Sequence, residues 1–199
     1  MHIPQLGPLT PQKSNVLTRA IGRFLLFGLR WQVKGTVYNA PKLVMVLAPH
    51  TSTCDFLVGL ASMLAVGFRS SWLIAAKHTW WPLGIFMRRL GGIPVHRSAP
   101  HDVVSQMVKT FNDNDKLLFA LSPEGTRKKV TKWKTGFWHI AADAGVPIQL
   151  ISFDYARRIT ECGPVIETSN NIEADMKLIQ NYYKGVQAKY PSKFDGEYL

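Results

Sequence analysis

Short apolar runs that alternate with helical patterns are the feature that most restricts the fold of this chain. Runs with the length and flanking residues of buried strands lie at residues 43–48, 71–76, 92–95, 116–121 and 147–153. Helical patterns lie before, between and after them, at residues 14–31, 56–68, 80–90, 102–111, 136–144 and 172–190. This alternation predicts an α/β fold with a mostly parallel central sheet flanked by helices.

Length and composition predict one domain. A chain of 199 residues, of which 46% are hydrophobic and 19% are charged, is long and apolar enough to bury its own core. No internal repeat or linker divides it. We therefore expect residues 1–199 to form a single domain, with an arm and an amphipathic helix over residues 1–35 and an α/β body over residues 36–199.

The predicted first helix combines an apolar surface with positive charge from Arg19, Arg23 and Arg30, and Ser14 is its candidate N-cap. Such a helix suits a membrane interface, although a helix packed on its own domain can also have a wide apolar stripe. The longest apolar run, residues 56–68, is shorter than the roughly 20 residues that a bilayer-spanning helix needs. We therefore expect peripheral or monotopic membrane association.

The charge balance calls for an anionic partner. The chain has 24 Lys and Arg against 13 Asp and Glu, a net charge of +11, which suits nucleic acid, anionic lipid or a phosphorylated substrate. Aromatic residues stand beside basic ones, as Trp133 does beside Lys134, and this pairing suits lipid headgroups or simply a basic protein with aromatics in its core. No nucleic-acid motif is present, so we expect an anionic membrane surface and no nucleic acid.

Cysteine usage predicts a reducing compartment. Cys54 and Cys162 are too few for a disulfide framework, and no Cys or His cluster has the spacing of a zinc site, so we expect no metal. The N-terminus lacks the basic, apolar and small-residue regions of a secretory signal, so we do not expect export.

Residues 50–55 begin with His50 and end with Asp55, at the junction of a predicted strand and a predicted helix. Ligands bind at such carboxyl ends in open α/β sheets. Residues five apart on a regular helix point about 140° away from each other, so these side chains can meet only if the segment includes a turn, with the helix starting near Ser52. Asp55 would then fix one imidazole nitrogen and leave the other basic, as deprotonation of an alcohol requires. The alternative is a capping box between Ser52 and Asp55, with His50 as a bystander.

Three further segments follow in order, each at the end or the start of a predicted strand: residues 91–97, 121–127 and 146–151. The first two end in Arg97 and Arg127. Arginines at the ends of adjacent strands would converge at one edge of the sheet. Because a guanidinium fork matches the oxygens of a phosphate, these two residues are candidate phosphate ligands.

In these four segments the sequence resembles the glycerolipid acyltransferase family, which includes the 1-acylglycerol-3-phosphate acyltransferases. The similarity covers residues 43–155, and its first and third segments together are the most specific. It implies an O-acyltransferase of phospholipid biosynthesis that moves a fatty acyl group from acyl-CoA or acyl carrier protein to the hydroxyl of a lysophospholipid, with 1-acylglycerol-3-phosphate as the expected acceptor. The enzyme would need no cofactor and would act at the cytoplasmic face of the membrane.

The resemblance also implies roles for individual residues. His50 would be the general base and Asp55 its orienting partner, while the helix start after Thr51 would offer N–H groups to a developing oxyanion. Lys77, just after the second predicted strand, either adds positive charge near the phosphate or is solvated. The expected substrate-binding residues are Arg97 and Arg127 for the acceptor phosphate, and Glu124, Gly125 and Thr126 for the shape of its pocket.

Alternatives to this interpretation stay open. Cys54 lies inside the first segment and would serve as the nucleophile of a two-step reaction. An alternative acceptor is an alcohol without phosphate, such as a lyso-ornithine lipid. This alternative predicts that Arg97→Ala costs little activity. A non-catalytic module for anionic lipid or nucleic acid would bind in a strongly salt-dependent way and tolerate Asp55→Asn. Departures from the family pattern, at Pro49, Pro94 and residues 150–151, bear on substrate identity more than on the reaction.

Overall fold

The computed structural model describes residues 3–75, 83–95 and 100–194. Within these residues one sheet contains the strands β1 (Gln32–Gly35), β2 (Lys42–Ala48), β3 (Ser71–Ala75), β4 (Gly92–Val95), β5 (Leu117–Leu121), β6 (Ile148–Asp154) and β7 (Ile159–Ile166). The helices are α1 (Val16–Gly28), α2 (Thr53–Val66), α3 (Leu83–Leu90), α4 (Pro100–Asn112), α5 (Gly136–Ala144) and α6 (Ile172–Tyr183). A short 3-10 helix, Pro191–Lys193, follows α6.

The sheet has the strand order β1-β7-β6-β2-β5-β3-β4, and every neighbouring pair is parallel except β6 with β7. The predicted α/β class and mostly parallel sheet are therefore confirmed. Because the carboxyl ends of parallel strands meet at one edge, the segments after β5, β2 and β6 lie side by side at the centre of that edge.

Helices cover both faces of the sheet because β2 is apolar on both of its sides. Val44 and Val46 belong to one buried cluster with side chains of α4, α5 and α6. Leu43 and Met45 point to the opposite face, as alternate residues of a strand must. On that second face a further buried cluster joins α1 and α2 to Phe153 of β6. The central strands are thus shielded from water on both sides.

The strands β1 and β7 were not predicted from the sequence. β1 has only four residues, and β7 contains Gly163 and Pro164, which interrupt a strand pattern. The structure accommodates Pro164 because β1 pairs only with residues 159–162 of β7, which leaves the position of the proline outside that ladder. These two strands extend the sheet beyond β6. Because β7 follows β6 after a turn, the two strands form the antiparallel pair of the sheet.

The helix α1 is shorter than predicted. Its N-cap is Asn15, whose side chain accepts a hydrogen bond from the Thr18 N–H in a capping box, so the prediction of Ser14 as N-cap is wrong. Ser14 Oγ instead accepts a hydrogen bond from Arg19 Nε at 2.8 Å. The helix buries Gly22 and Leu26 and leaves most of its large apolar side chains exposed. Among the described residues no helix is both long and apolar enough to cross a membrane.

Candidate active site

Three neighbouring strands deliver titratable side chains to one edge of the sheet. His50 follows β2, Glu124 follows β5, and Tyr155 directly follows β6. The helix α2 starts at the same edge, and its first turn contains Asp55. The predicted position of His50 and Asp55 at a strand–helix junction is thus the position that the structure gives them.

The helix α2 begins at Thr53 with Ser52 as its N-cap, which agrees with the predicted helix start near Ser52. The Ser52 hydroxyl accepts a hydrogen bond from the Cys54 N–H at 3.0 Å, and Asp55 Oδ2 accepts one from the Ser52 N–H at 2.7 Å. The capping box is therefore present. It does not exclude a role for His50, because the turn over residues 50–52 also brings His50 next to Asp55.

The imidazole of His50 faces the carboxylate of Asp55. The distance from His50 Nδ1 to Asp55 Oδ2 is 3.6 Å, which is longer than a hydrogen bond, as catalytic contacts often are without substrate. The His50 side chain is 23% exposed whereas that of Asp55 is fully buried. Burial lowers the pKa of His50, the negative charge of Asp55 opposes that shift, and the positive charge of Arg127 adds to it. His50 is therefore mainly neutral, and so able to accept a proton, near pH 7.

Glu124 holds the backbone of His50. Its Oε1 accepts a hydrogen bond from the His50 N–H at 2.7 Å, and the residue is only 2% exposed. Burial raises the pKa of Glu124 to about 7, against the opposing effect of the hydrogen bond from His50, and the nearby charge of Asp55 adds to the rise. The structure thus gives Glu124 a contact with the backbone of His50 that the sequence did not predict.

The residues after Glu124 form an exposed turn. Gly125 has a φ of +65°, a left-handed conformation that favours glycine, and its N–H donates to the Ser122 carbonyl at 3.2 Å. Thr126 is half-buried, and its hydroxyl accepts a hydrogen bond from the Lys128 N–H at 3.3 Å. Arg127 is exposed, yet its charge acts on the pKa of His50. The turn therefore presents a cation to the site from the end of β5.

Two of the predicted substrate-binding residues, Arg97 and Lys77, lie outside the described residues. The prediction that the strands before Arg97 and Arg127 are adjacent is wrong, because β3 lies between β4 and β5. Neighbouring strands are about 4.8 Å apart, so the two strand ends are separated by roughly 10 Å. In the described parts of the chain no three His, Cys, Asp or Glu side chains lie together as metal ligands would.

The start of α2 uses several of its amide groups internally. The N–H groups of Thr51 and Ser52 both donate to Asp55 Oδ2 at 2.7 Å, and that of Cys54 donates to the Ser52 hydroxyl. These three amides are therefore occupied and do not supply the oxyanion donors expected from the sequence.

Two contacts of the site come from residues that the sequence did not single out. The Tyr155 hydroxyl donates to Asp55 Oδ1 at 2.6 Å, and Lys189 Nζ donates to Cys54 Sγ at 2.7 Å. Tyr155 directly follows a predicted strand, and this position at a carboxyl end is a signal that sequence reasoning could have used. Lys189 lies after α6 and carries no comparable signal. Its ammonium group, followed by the Ser52 hydrogen bond, lowers the pKa of Cys54.

Comparisons with known proteins agree on one family. The Acyltransferase family profile matches residues 30–154. The chain is 26% identical to the 1-acyl-sn-glycerol-3-phosphate acyltransferase of Haemophilus influenzae, in an alignment that covers 94% of this chain and 85% of that protein. The crystal structure of the 1-acyl-sn-glycerophosphate (LPA) acyltransferase PlsC from Thermotoga maritima has a similar fold, with a TM-score of 0.63 at 15% identity over 87% of this chain and 80% of that one.

Proposed function

Because the chain belongs to the Acyltransferase family and is an O-acyltransferase, we propose that it moves a fatty acyl group from acyl-CoA or acyl carrier protein to the hydroxyl of a lysophospholipid. The proposed acceptor is 1-acylglycerol-3-phosphate, the substrate named for the Haemophilus influenzae relative. The observation that carries the proposal is the contact of the partly exposed His50 imidazole with the buried Asp55 carboxylate at the edge of the sheet.

The proposed chemistry is a direct transfer by addition and elimination at the acyl carbon. His50 Nδ1 faces Asp55, which leaves Nε2 to take the proton of the acceptor hydroxyl as its oxygen attacks the thioester carbonyl. The tetrahedral intermediate then expels the thiolate of CoA or of the carrier protein, and the imidazolium returns its proton to that sulfur. The products are the new oxygen ester and the free thiol, and no acyl-enzyme is formed.

The acceptor phosphate is assigned to the turn after β5. Arg127 is an exposed cation close enough to His50 to act on its pKa, so a phosphate bound there would keep the neighbouring hydroxyl near the imidazole. Glu124, Gly125 and Thr126 shape the adjoining backbone. In the proposal Arg97 also binds the acceptor phosphate and Lys77 adds positive charge near it. The resemblance to the family supports the role of Arg97.

The proposed setting is the cytoplasmic membrane surface. α1 exposes 75% of Phe24 and 77% of Phe27, and the same helix carries the exposed Arg23. Apolar rings beside cationic side chains suit the boundary between acyl chains and anionic headgroups. The net charge of +11 supports the same partner.

The experiment that tests the proposed function uses the purified full chain, both classes of acyl donor, and a panel of lyso-lipids with and without a phosphate headgroup. We expect transfer to 1-acylglycerol-3-phosphate, and a loss of about 10²–10⁴-fold in His50→Ala, since this is the usual contribution of a general base. His139→Ala is the matched control, because His139 is an exposed histidine on α5. Full transfer activity in His50→Ala would contradict the mechanism, and transfer only to phosphate-free acceptors such as a lyso-ornithine lipid would contradict the assigned acceptor.

A further inference from the structure

The carboxylate of Asp55 has different partners on its two oxygens. Oδ2 accepts hydrogen bonds from the N–H groups of Thr51 and Ser52 at 2.7 Å each, and the same oxygen lies 3.6 Å from His50 Nδ1. Oδ1 accepts the hydroxyl of Tyr155 at 2.6 Å. Asp55 is 1% exposed, so these protein groups rather than bulk water solvate it.

The bond from Tyr155 fixes the plane of the carboxylate. Two amide donors on Oδ2 hold the position of that oxygen, but the group could still turn about the axis through it. A donor on Oδ1 removes this freedom, since short bonds to both oxygens allow only one orientation. In that orientation Oδ2 faces the imidazole of His50.

Tyr155 is itself held from two sides. Its ring meets the ring of Trp31 edge to face, with 4.9 Å between centroids, and its N–H donates to the Gln187 carbonyl at 2.9 Å. Trp31 is 4% exposed and is anchored by a hydrogen bond from its Nε1 to Thr160 Oγ1. The position of the phenol is therefore imposed by the residue before β1, by β7 and by the segment after α6, and does not depend on Asp55 alone.

Tyr155 remains a donor over the whole working pH range. Burial of the ring is the largest cause that raises the pKa of Tyr155, and the hydrogen bond to Asp55 raises it further. The phenol is consequently protonated wherever His50 titrates.

We propose that Tyr155 is a positioning residue for the proposed acyl transfer: its hydroxyl holds Asp55 so that Oδ2 faces His50 Nδ1 and keeps the imidazole in the tautomer that leaves Nε2 free. The role rests on the proposed function for its consequence in catalysis. Its physical basis, the link from Tyr155 through Asp55 to His50, can be measured without substrate.

The test is Tyr155→Phe in the full chain, which removes one oxygen atom and keeps the ring against Trp31. Tyr182→Phe is the matched control, because the Tyr182 hydroxyl is bonded to Ser152 Oγ at 3.2 Å. The titration of His50 is followed by NMR on protein with isotope-labelled histidine, and its signal is identified by its absence in His50→Ala. Besides burial, the groups that shape this titration are Asp55 on α2 and Arg127 after β5, and Glu124 also lies beside His50 and accepts a hydrogen bond from its backbone N–H.

We expect the midpoint of the His50 titration to move to higher pH by about 0.5 unit in Tyr155→Phe, because a carboxylate that loses a donor holds its negative charge less dispersed and favours the imidazolium. We expect kcat to fall about tenfold, as for the loss of one hydrogen bond to a charged group, with little change in the KM of the acceptor. Tyr182→Phe should leave both the midpoint and kcat unchanged.

An unchanged His50 titration in Tyr155→Phe would overturn the inference, whatever happens to activity, since a merely structural role lowers activity without moving that midpoint. A raised midpoint in a protein that shows no acyl transfer would support the link and count against the proposed function alone. Circular dichroism of the variant verifies that the fold is retained.

Discussion

The carboxylate of Asp55 serves the start of α2 and the imidazole of His50 at the same time. Its Oδ2 accepts two backbone N–H groups and also lies nearest to His50 Nδ1. A substitution of Asp55 would therefore remove a helix cap and the partner of His50 together, and an activity loss could not be assigned to either. Substitutions around the pair separate these effects more cleanly.

Arg127→Gln should shift the pH dependence of activity to higher pH. The positive charge of Arg127 lowers the pKa of His50, so its removal raises that pKa. The base must be neutral to act, so the acidic limb of the kcat/KM profile should move to higher pH, by a small amount because Arg127 is exposed and its charge is screened by salt. The measurement is the pH profile at low and at high ionic strength, since salt should reduce the difference.

The control for this prediction is Arg69→Gln. Arg69 is exposed and precedes β3, so it lies at the opposite edge of the sheet. A profile that moves equally in both variants would show that net charge, rather than the position of Arg127, shifts the titration. A raised KM in Arg127→Gln for phosphate-bearing acceptors alone would support the assigned phosphate contact.

Cys54→Ser should retain transfer activity within about twofold, although Lys189 lies 2.7 Å from Cys54 Sγ and lowers the pKa of the thiol. The reason is that an acceptor hydroxyl that attacks the thioester directly needs no acyl-enzyme. The measurement is steady-state transfer together with intact-protein mass spectrometry after mixing with the acyl donor alone. A covalent acyl adduct in the native chain that Cys54→Ser lacks, with loss of turnover, would favour the two-step alternative.

At the scale of elements, α1 packs on α2 through its smallest residue. A Cβ on Gly22 would lie 2.4 Å from the backbone nitrogen of Ala65, so the two helices approach too closely for any larger side chain. With Gly22 and Leu26 turned inward, the rings of Phe24 and Phe27 are turned away from the protein. The helix thus packs on its own domain and also exposes apolar rings beside basic side chains on its outer side. Packing on the domain and contact with a membrane interface are therefore compatible.

Replacement of Phe24 and Phe27 together by Ser should weaken binding to vesicles of phosphatidylcholine and phosphatidylglycerol by at least about tenfold, since burial of one large apolar side chain contributes roughly 1.5–3 kcal/mol. Because both rings are more than 70% exposed, the thermal midpoint should change little. Leu178→Ser is the matched control, since Leu178 is 60% exposed on α6. Vesicle sedimentation measures the binding, and equal losses in both proteins would contradict the assignment of α1 as the membrane-facing element.

At the scale of the whole molecule, the sheet keeps a carboxyl group buried beneath His50. Glu124 lies after β5 and accepts a hydrogen bond from the His50 N–H after β2, so this bond links the ends of two paired strands at the edge where the site lies. Burial raises the pKa of Glu124 from 4.5 to about 7, so the folded protein holds this proton over a pH range in which the unfolded chain has lost it.

Glu124→Gln should therefore alter how stability depends on pH. Between pH 4.5 and 7 the native state binds more protons at this position than the unfolded state, so its contribution to the free energy of unfolding falls as pH rises. A Gln keeps the acceptor for the His50 N–H and does not titrate. Relative to that of the native chain, the free energy of unfolding of the variant should rise by roughly 3 kcal/mol between pH 4.5 and pH 8.

Urea unfolding of both proteins across this pH range measures the difference. Glu173→Gln makes the same chemical change at an exposed position in the first turn of α6. If the free energies of unfolding of the native chain and of Glu124→Gln differ by the same amount at all pH values, the raised pKa of Glu124 is contradicted.

Much of the fold could be predicted from the sequence because the signals are local. The strands β2 and β5 read as apolar runs, and a turn with His50 outside the helix was expected from the hydroxyl residues around Ser52. The strands β1 and β7 escaped prediction because one is very short and the other contains Pro164. Their place depends on pairing with distant strands.

The exposure of aromatic residues could not be predicted in the same way. Trp133 stands beside Lys134 in the sequence and suggested a headgroup contact, but it is 3% exposed and packs on Tyr183 with 5.4 Å between ring centroids. Phe24, also among basic residues, is 75% exposed. The same local pattern thus occurs in the core and on the surface, and only the packing of distant helices distinguishes the two.

The sequence by itself determined the α/β class, the position of His50 and Asp55 at a strand–helix junction, and the residues that resemble an acyltransferase, because each of these depends on spacing within short segments. Only the tertiary structure decided the strand order that separates β4 from β5, the hydrogen bond from the His50 N–H to Glu124, and the contact of Tyr155 with Asp55. The last of these joins residues 100 positions apart. Such contacts arise from the way the sheet aligns the ends of its central strands, and no local pattern records that alignment.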